Sequence, residues 1–179
     1  MKKLLEYISV SESSVDNIQP RSKQDLVRII KDRIREQGPK CDLNDIDVSR
    51  VTDMSGLFSS HGLDSFNGDI SGWDVSNVRS MTSMFEGSKF TGDISGWDVS
   101  NVKSMYSMFS KSRFNGDISH WDVRHVEDMR LMFFMSMFKG DISDWDVQED
   151  TDMESMFNQS SLERANKLPA WYNNSTMTI

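Results

Sequence analysis

At 179 residues the chain is long enough for one domain with a continuous core, although its 37% hydrophobic content is low. The net charge of -8 is uneven: residues 1–40 carry nine Lys/Arg against six Asp/Glu, and residues 41–179 carry eleven against twenty-two. An acidic body argues against a binder of phosphate backbones, which needs a basic face, and a lone cysteine, Cys41, excludes an internal disulfide framework and fits a reducing compartment.

The first forty residues lie outside any repeat. Met1-Lys2-Lys3-Leu4-Leu5 opens like the basic start of a secretory signal, but Glu6, Ser9, Ser11 and Glu12 interrupt it before an apolar run or a small-residue cleavage site forms. No stretch reaches the ~18 apolar residues of a membrane span. The expectation is a cytoplasmic protein. Ser22-Lys23-Gln24-Asp25 then reads as a helix start, with Asp25 where a capping box has Glu. Leu26, Ile29, Ile30 and Ile34 follow as an i, i+3, i+4, i+8 stripe, and Gly38-Pro39 is a stop. The pattern predicts an N-terminal capping segment, 1–40, whose helix at 22–37 buries its stripe on Leu43 and Ile46.

From residue 41 the chain is periodic. Four copies of GDIS-x-WDV begin at Gly68, Gly92, Gly116 and Gly140, and Phe85, Phe109, Phe133 and Phe157 repeat the same interval of 24 residues. A divergent first unit has Cys41 for Gly, Leu43 for Ile and Ile46 for Trp, and is three residues longer in the loop 59–65. The units fall at 41–67, 68–91, 92–115, 116–139 and 140–163. Leu168-Pro169-Ala170-Trp171 keeps the Ile-x-x-Trp spacing, which makes 164–179 a C-terminal cap. Within a unit, Gly-Asp marks a turn, Ile70, Trp73, Val75 and Val78 point inward along extended chain, and Met81, Met84 and Phe85 stand at the i, i+3, i+4 spacing of a helical turn. A fixed period of this kind predicts an α/β solenoid of about five coils, each built from short parallel strands plus a helical turn, stacked about 4.8 Å apart.

The phrase DISGWDVSNV-(R/K)-SM-x-SMF at 69–85 and 93–109 resembles the bacterial surface-protein repeat family that includes BspA-like leucine-rich-repeat proteins and mycoplasma lipoproteins. The resemblance covers about residues 41–162. It implies a right-handed leucine-rich-repeat-like stack, display outside the cell, adhesion or protein binding, and no catalytic residues. Unlike in secreted members, no signal peptide or anchor is expected in this chain. Short intracellular copies of such repeats look like phage or mobile-element cargo, or binders of a single host protein.

Two columns of aspartates recur: Asp69, Asp93, Asp117, Asp141, and Asp74, Asp98, Asp122, Asp146. Each side chain can cap a turn amide. Alternatively, the columns form a polyanionic ladder that imitates nucleic acid in a basic groove. A Ca²⁺ column lacks the D-x-D-x-D-G loop with its distal Glu; Asp42, Asp45 and Asp47 come nearest. Trp73, Trp97, Trp121, Trp145 and the repeated methionines read as packing residues. His61, His120 and His125 share no metal-ligand spacing with Cys41 and stand beside no nucleophile.

The fourth unit breaks its own consensus. Where other copies have Glu86-Gly87-Ser88-Lys89 or Ser110-Lys111-Ser112-Arg113, it has Phe134-Met135-Ser136-Met137, and Leu131 replaces the Ser of positions 83, 107 and 155. Exposed, these residues would mark an interface; a terminal segment folded over them is the other reading. The sequence therefore points to a non-catalytic protein-protein interaction module that contacts its partner through Leu131, Phe134, Met135 and Met137, with Arg124 and Arg130 at the rim. An acidic phage- or mobile-element-borne inhibitor of a nucleic-acid-processing enzyme, acting through the Asp ladder, is the alternative, and a surface adhesin is the third reading. No cofactor, metal, membrane or direct nucleic-acid contact is expected, and a homodimer through the fourth-unit patch stays open.

Overall fold

Backbone amides of the Met-x-x-Met-Phe segments point alternately in two directions, and this alternation organises the computed structural model, which describes residues 18–172. The amides of Met84, Glu86 and Ser88 donate locally, to the carbonyls of Met81, Ser83 and Phe85 at 3.1, 3.2 and 3.1 Å. Those of Met81, Ser83, Phe85 and Gly87 donate outward, to Ser104, Tyr106, Met108 and Ser110 of the next repeat at 2.9, 2.7, 3.0 and 2.8 Å. The pattern recurs from 105–111 onto 128–134 and from 129–135 onto 152–158. Every amide from 81 to 88, except that of Thr82, which meets the Ser80 hydroxyl at 3.5 Å, has a backbone acceptor, with neither a helix nor a sheet.

This overturns the expected α/β solenoid and its leucine-rich-repeat-like unit. The spacing of Met81, Met84 and Phe85 is not a helical turn, because Ser83 lies in the left-handed region at φ 52°, as do Ser107, Leu131 and Ser155 at 54°, 57° and 56°. A right-handed helix cannot pass through such a residue. Each segment is instead a chain of four-residue turns; the first and third of them, 81–84 and 85–88 in the second repeat, have a third residue of positive φ, Ser83 and Gly87, as in type II turns. The parallel strands are likewise absent among the described residues. Contacts of that kind shrink to isolated bridges, Asp53 with Ser80, Ser80 with Ser104, Ser104 with Asp128 and Asp128 with Asp152. The helices among the described residues are α1, Lys23–Gln37, and the short α2, Ser161–Arg164.

Helix α1 begins as its sequence dictates. The Ser22 hydroxyl accepts the Asp25 amide at 3.1 Å, and the Asp25 carboxylate reaches back to the Arg21 amide at 3.0 Å, one residue before the usual capping-box partner. Gly38 ends it at φ 86°, donating to the Ile34 carbonyl. Leu26, Val27 and Ile30 are buried while Ile29 and Ile34 are partly buried, so the inward face is turned towards Val27. Ion pairs Arg33–Asp45 and Lys23–Asp53 hold the helix on the first repeat. The backbone of Ile18 also bridges Ile46.

Two columns of stacked phenylalanines fill the core. Phe58, Phe85, Phe109, Phe133 and Phe157 succeed one another at 5.4, 5.7, 5.8 and 5.5 Å. Phe66, Phe90, Phe114 and Phe138 do so at 6.1, 6.4 and 6.3 Å. These centroid distances exceed the ~4.8 Å of paired strands because the rings stack with a lateral offset. The tryptophans of the GDIS-x-WDV units are buried but keep the indole N–H satisfied: Trp97 donates to Ile70 at 3.2 Å, Trp121 to Ile94 at 3.2 Å and Trp145 to Ile118 at 3.0 Å. Trp171 continues the series, donating to Ile142 at 2.9 Å and stacking on Trp145.

The glycine of GDIS-x-WDV makes room for a ring. A Cβ on Gly116 would lie 2.8 Å from the far edge of Phe114, and that ring is held between Phe90 and Phe138. Beside it runs a column of buried serines, Ser88, Ser112 and Ser136, whose hydroxyls find no partner among the described residues. Two stability predictions follow from this packing. Gly116→Ala should lower the unfolding free energy by about 1–3 kcal/mol through overpacking. Ser112→Ala should raise it by roughly 1 kcal/mol, since an unsatisfied buried hydroxyl is removed. Urea titration followed by tryptophan fluorescence measures both.

Candidate interaction surface

The turn-built segments leave a ridge along one side of the repeats, set by two hydrogen-bonded columns. In the first, Gly87 donates to Ser110, Lys111 to Phe134 and Met135 to Asn158. In the second, Arg113 donates to Ser88, Met137 to Ser112 and Ser161 to Ser136. Gly87, Lys111, Met135 and Gln159, and Lys89, Arg113 and Met137, are exposed, whereas Ser88, Ser112 and Ser136 between them are buried. The backbone of this ridge is pinned by its neighbours, so its outward side chains can vary without altering the fold.

The unusual residues of the fourth repeat fall on this ridge. Met135 and Met137 are 45% and 53% exposed and are the exposed large hydrophobics among the described residues. Leu131 and Phe134 stand at the two ends of one turn, closed by the Phe134 amide on the Leu131 carbonyl at 3.0 Å, and both are half-buried. The Lys111 ammonium lies 6.0 Å from the Phe134 ring centre, a cation over an aromatic face. Leu131 and Met135 also occupy the left-handed positions of their repeat, at φ 57° and 54°. Glycine holds the corresponding places at Gly56 and Gly87, at φ 64° and 66°. Comparing repeat copies in the sequence finds these residues, but not the backbone conformation that makes them costly.

Arg124 and Arg130 are placed differently from the expected rim. Arg124 forks onto Asp122 at 2.9 and 2.7 Å. Arg130 forks onto Asp128 at 3.0 and 2.9 Å, approaches Asp152 at 3.4 Å, and covers the Tyr106 ring. Both guanidinium groups are engaged within the repeats. By register Arg124 belongs with Ser76 and Ser100 on the Asp-turn side, away from the methionine ridge.

The aspartate columns cap turns and face solvent at once. Asp69, Asp93, Asp117 and Asp141 each accept the amide two residues on, from Ser71, Ser95, Ser119 and Ser143, at 2.9–3.0 Å. Asp74, Asp98 and Asp122 do the same for Ser76, Ser100 and Arg124 at 3.1, 3.0 and 3.2 Å. Asp146 instead accepts the Gln148 side-chain amide. The amides of Ser71, Ser95 and Ser119 hold Asp69, Asp93 and Asp117 below the usual carboxylate range. Asp141 is lowered first by the Ser143 hydroxyl and Asp122, chiefly by its Arg124 fork, to about 2. Repulsion from Asp117 and Asp69 works against the lowering at Asp93. Cys41 is buried, and burial pushes its thiol up, away from thiolate chemistry. Among the described residues, no three His, Cys, Asp or Glu side chains converge to hold a metal ion, and no helix is long and apolar enough to cross a membrane.

The family described as "Mycoplasma protein of unknown function, DUF285" matches residues 31–136 and again residues 63–171. Overlapping matches of this kind fit a repeated unit, since the same pattern aligns to the chain in two registers. Searches of curated proteins and of solved structures return no match.

Two measurements test this description. Met135→Gly should raise the unfolding free energy by roughly 0.5–1 kcal/mol, because relief of a left-handed residue's ~1–2 kcal/mol outweighs glycine's backbone entropy. Asp69, Asp93, Asp117, Asp122 and Asp141 are held below their unfolded value of ~3.9, so their contribution is present above that pH and lost as pH falls through the folded values. Unfolding midpoints should therefore stay level from pH 7 to about 5 and fall below about 4. Asp122→Asn should flatten the lowest part of that decline, near pH 2, where Asp122 titrates.

Proposed function

We propose that this chain, which belongs to the family of Mycoplasma proteins of unknown function called DUF285, is a non-catalytic module that binds a partner protein through the ridge of its fourth repeat. The observation that carries this reading is the exposure of Met135 and Met137 on a backbone where the other copies place glycine or polar residues. Folding does not account for them. An exposed methionine in a left-handed conformation costs free energy and returns little burial. Methionine suits a contact surface because its unbranched, polarisable side chain adapts to irregular shapes. Leu131 and Phe134 form the half-buried floor of the patch. The absence of catalytic chemistry belongs to the proposal: no acid, base and nucleophile converge on the ridge in the manner a reaction needs. The cytoplasm is the compartment proposed for it.

The solvent-facing aspartate columns favour a second reading, an acidic inhibitor that occupies the basic groove of a nucleic-acid-processing enzyme. In Asp69, Asp93, Asp117 and Asp141 one carboxylate oxygen is used in a turn and the other remains available. A third reading, adhesion at the cell surface, comes from the resemblance to BspA-like and mycoplasma-lipoprotein repeats and differs in address more than in surface.

Affinity capture with three forms of the full chain separates the first two. The Met135→Ser/Met137→Ser variant should lose the proteins that the unsubstituted chain captures, while Asp93→Asn/Asp117→Asn should keep them. The opposite pattern would establish the aspartate columns as the contact surface and remove the methionine ridge. Urea midpoints on each variant confirm that only folded protein is compared.

A further inference from the structure

The methionine ridge carries the wrong charge for its molecule. The chain as a whole has 28 Asp/Glu against 20 Lys/Arg, yet Met135 and Met137 are flanked in the ridge columns by Lys89, Lys111, Arg113 and Lys139, all exposed. Lys111 and Met135 occupy equivalent places in successive repeats, as do Arg113 and Met137. Lys139 closes the patch, its amide donating to the Asn115 side chain at 2.6 Å. The ridge segments 86–91, 110–115, 134–139 and 158–163 hold two carboxylates, Glu86, which accepts the Ser83 hydroxyl, and Glu163, which accepts the Gln159 amide at 2.6 Å.

These four cations also differ from others in the repeats in having no carboxylate within ion-pair distance among the described residues. Lys103 pairs with Glu127 at 3.0 Å, Arg124 with Asp122 at 2.7 Å and Arg130 with Asp128 at 2.9 Å. Arg79 is the one further cation of residues 68–139 without such a pair. In a chain with an excess of carboxylates, four unpaired cations grouped around the exposed methionines form a surface complementary to negative charge with an apolar centre.

We propose that the occupant of this ridge is an acidic segment of a partner protein, with an apolar side chain seated on Met135 and Met137 and carboxylates meeting Lys89, Lys111, Arg113 and Lys139. The inference rests on the protein-binding reading and adds the chemistry of the partner. The apolar contact supplies most of the burial, and the surrounding charge pairs steer the approach and reject basic competitors. Because the cations sit at the exposed rim, their contribution is screened by salt.

The test uses the full chain, immobilised, and a displayed library of random peptides about 12 residues long, enough to cover several repeats in extended form. Enriched peptides are expected to carry several Asp or Glu and at least one large apolar residue. Synthesised singly, they should bind at least about tenfold more weakly to Lys111→Glu/Arg113→Glu, to Met135→Ser/Met137→Ser, and to the unsubstituted chain at ~0.5 M salt. Basic or neutral enriched peptides, or no enrichment, overturn the proposal. Peptides that lose affinity with the methionine changes but not with charge reversal overturn the acidic partner and leave the protein-binding reading standing. Peptides indifferent to both changes remove both. Binding to anionic phospholipid vesicles in place of peptides, or concentration-dependent self-association abolished by Met135→Ser/Met137→Ser, also overturns it by naming a different occupant.

Discussion

A left-handed residue at fixed places in each repeat is the constraint on which the rest of this molecule depends. Positive φ at Ser83 and Gly87, at Ser107 and Lys111, and at Leu131 and Met135 turns alternate peptide units over. Half of the amides then close turns and half reach the next repeat. Extended strands would direct both amides and carbonyls sideways, and a helix would direct neither. This backbone sends outward-pointing amides forward and receives them on carbonyls one repeat later, so each repeat fixes the next. The phenylalanine columns follow from that register, and the glycine of GDIS-x-WDV follows from the phenylalanines.

Much of this was legible in the sequence and one decisive part was not. Regular spacing of Trp73, Trp97, Trp121 and Trp145 identifies a buried column, because a large aromatic recurring at one interval has to meet its own copies. The stripe of α1 and its Ser22 start are visible because helix caps are local chemistry. Asp93 and its fellows read as turn caps because an aspartate two residues before a free amide forms an Asx turn with no help from the fold. The sign of φ at Ser83 is different. Serine is common in right-handed turns too, and Met81, Met84 and Phe85 all turn inward in either conformation. Burial periodicity therefore matches a helix while the backbone does something else. Gly56 and Gly87 are the signal that could have corrected it, since two glycines at the equivalent left-handed places of other copies hint at what Ser83 and Lys111 have to do.

The candidate surface was legible for a related reason. In a repeat array each copy is an internal control for the others, so a departure from consensus isolates what one copy does beyond folding. That logic reached Met135 and Met137 directly. Arg124 and Arg130 differ in that a carboxylate two residues before each closes a fork on its guanidinium and engages it within the repeats. The cations that do flank the patch come from preceding repeats, Lys89, Lys111 and Arg113, and one turn later, Lys139. In the sequence they look like ordinary polar connector residues; stacking brings them beside the methionines.

Segregation of charge then has a physical reading of its own. Carboxylates concentrate where the Asp turns need an acceptor, and the amides they accept hold them ionised well below neutral pH. A column of like charges is tolerable there because each is met by a turn amide and by water. On the turn-built ridge the amides of Gly87, Lys111 and Met135 go to carbonyls of the next repeat and need no side-chain acceptor. The backbone thus requires an acceptor in one set of columns, which aspartate supplies, and makes no such demand on the ridge columns. Where the fold makes no demand, the side chains present are available to report what the protein meets, and there this chain carries two exposed methionines among four unpaired cations.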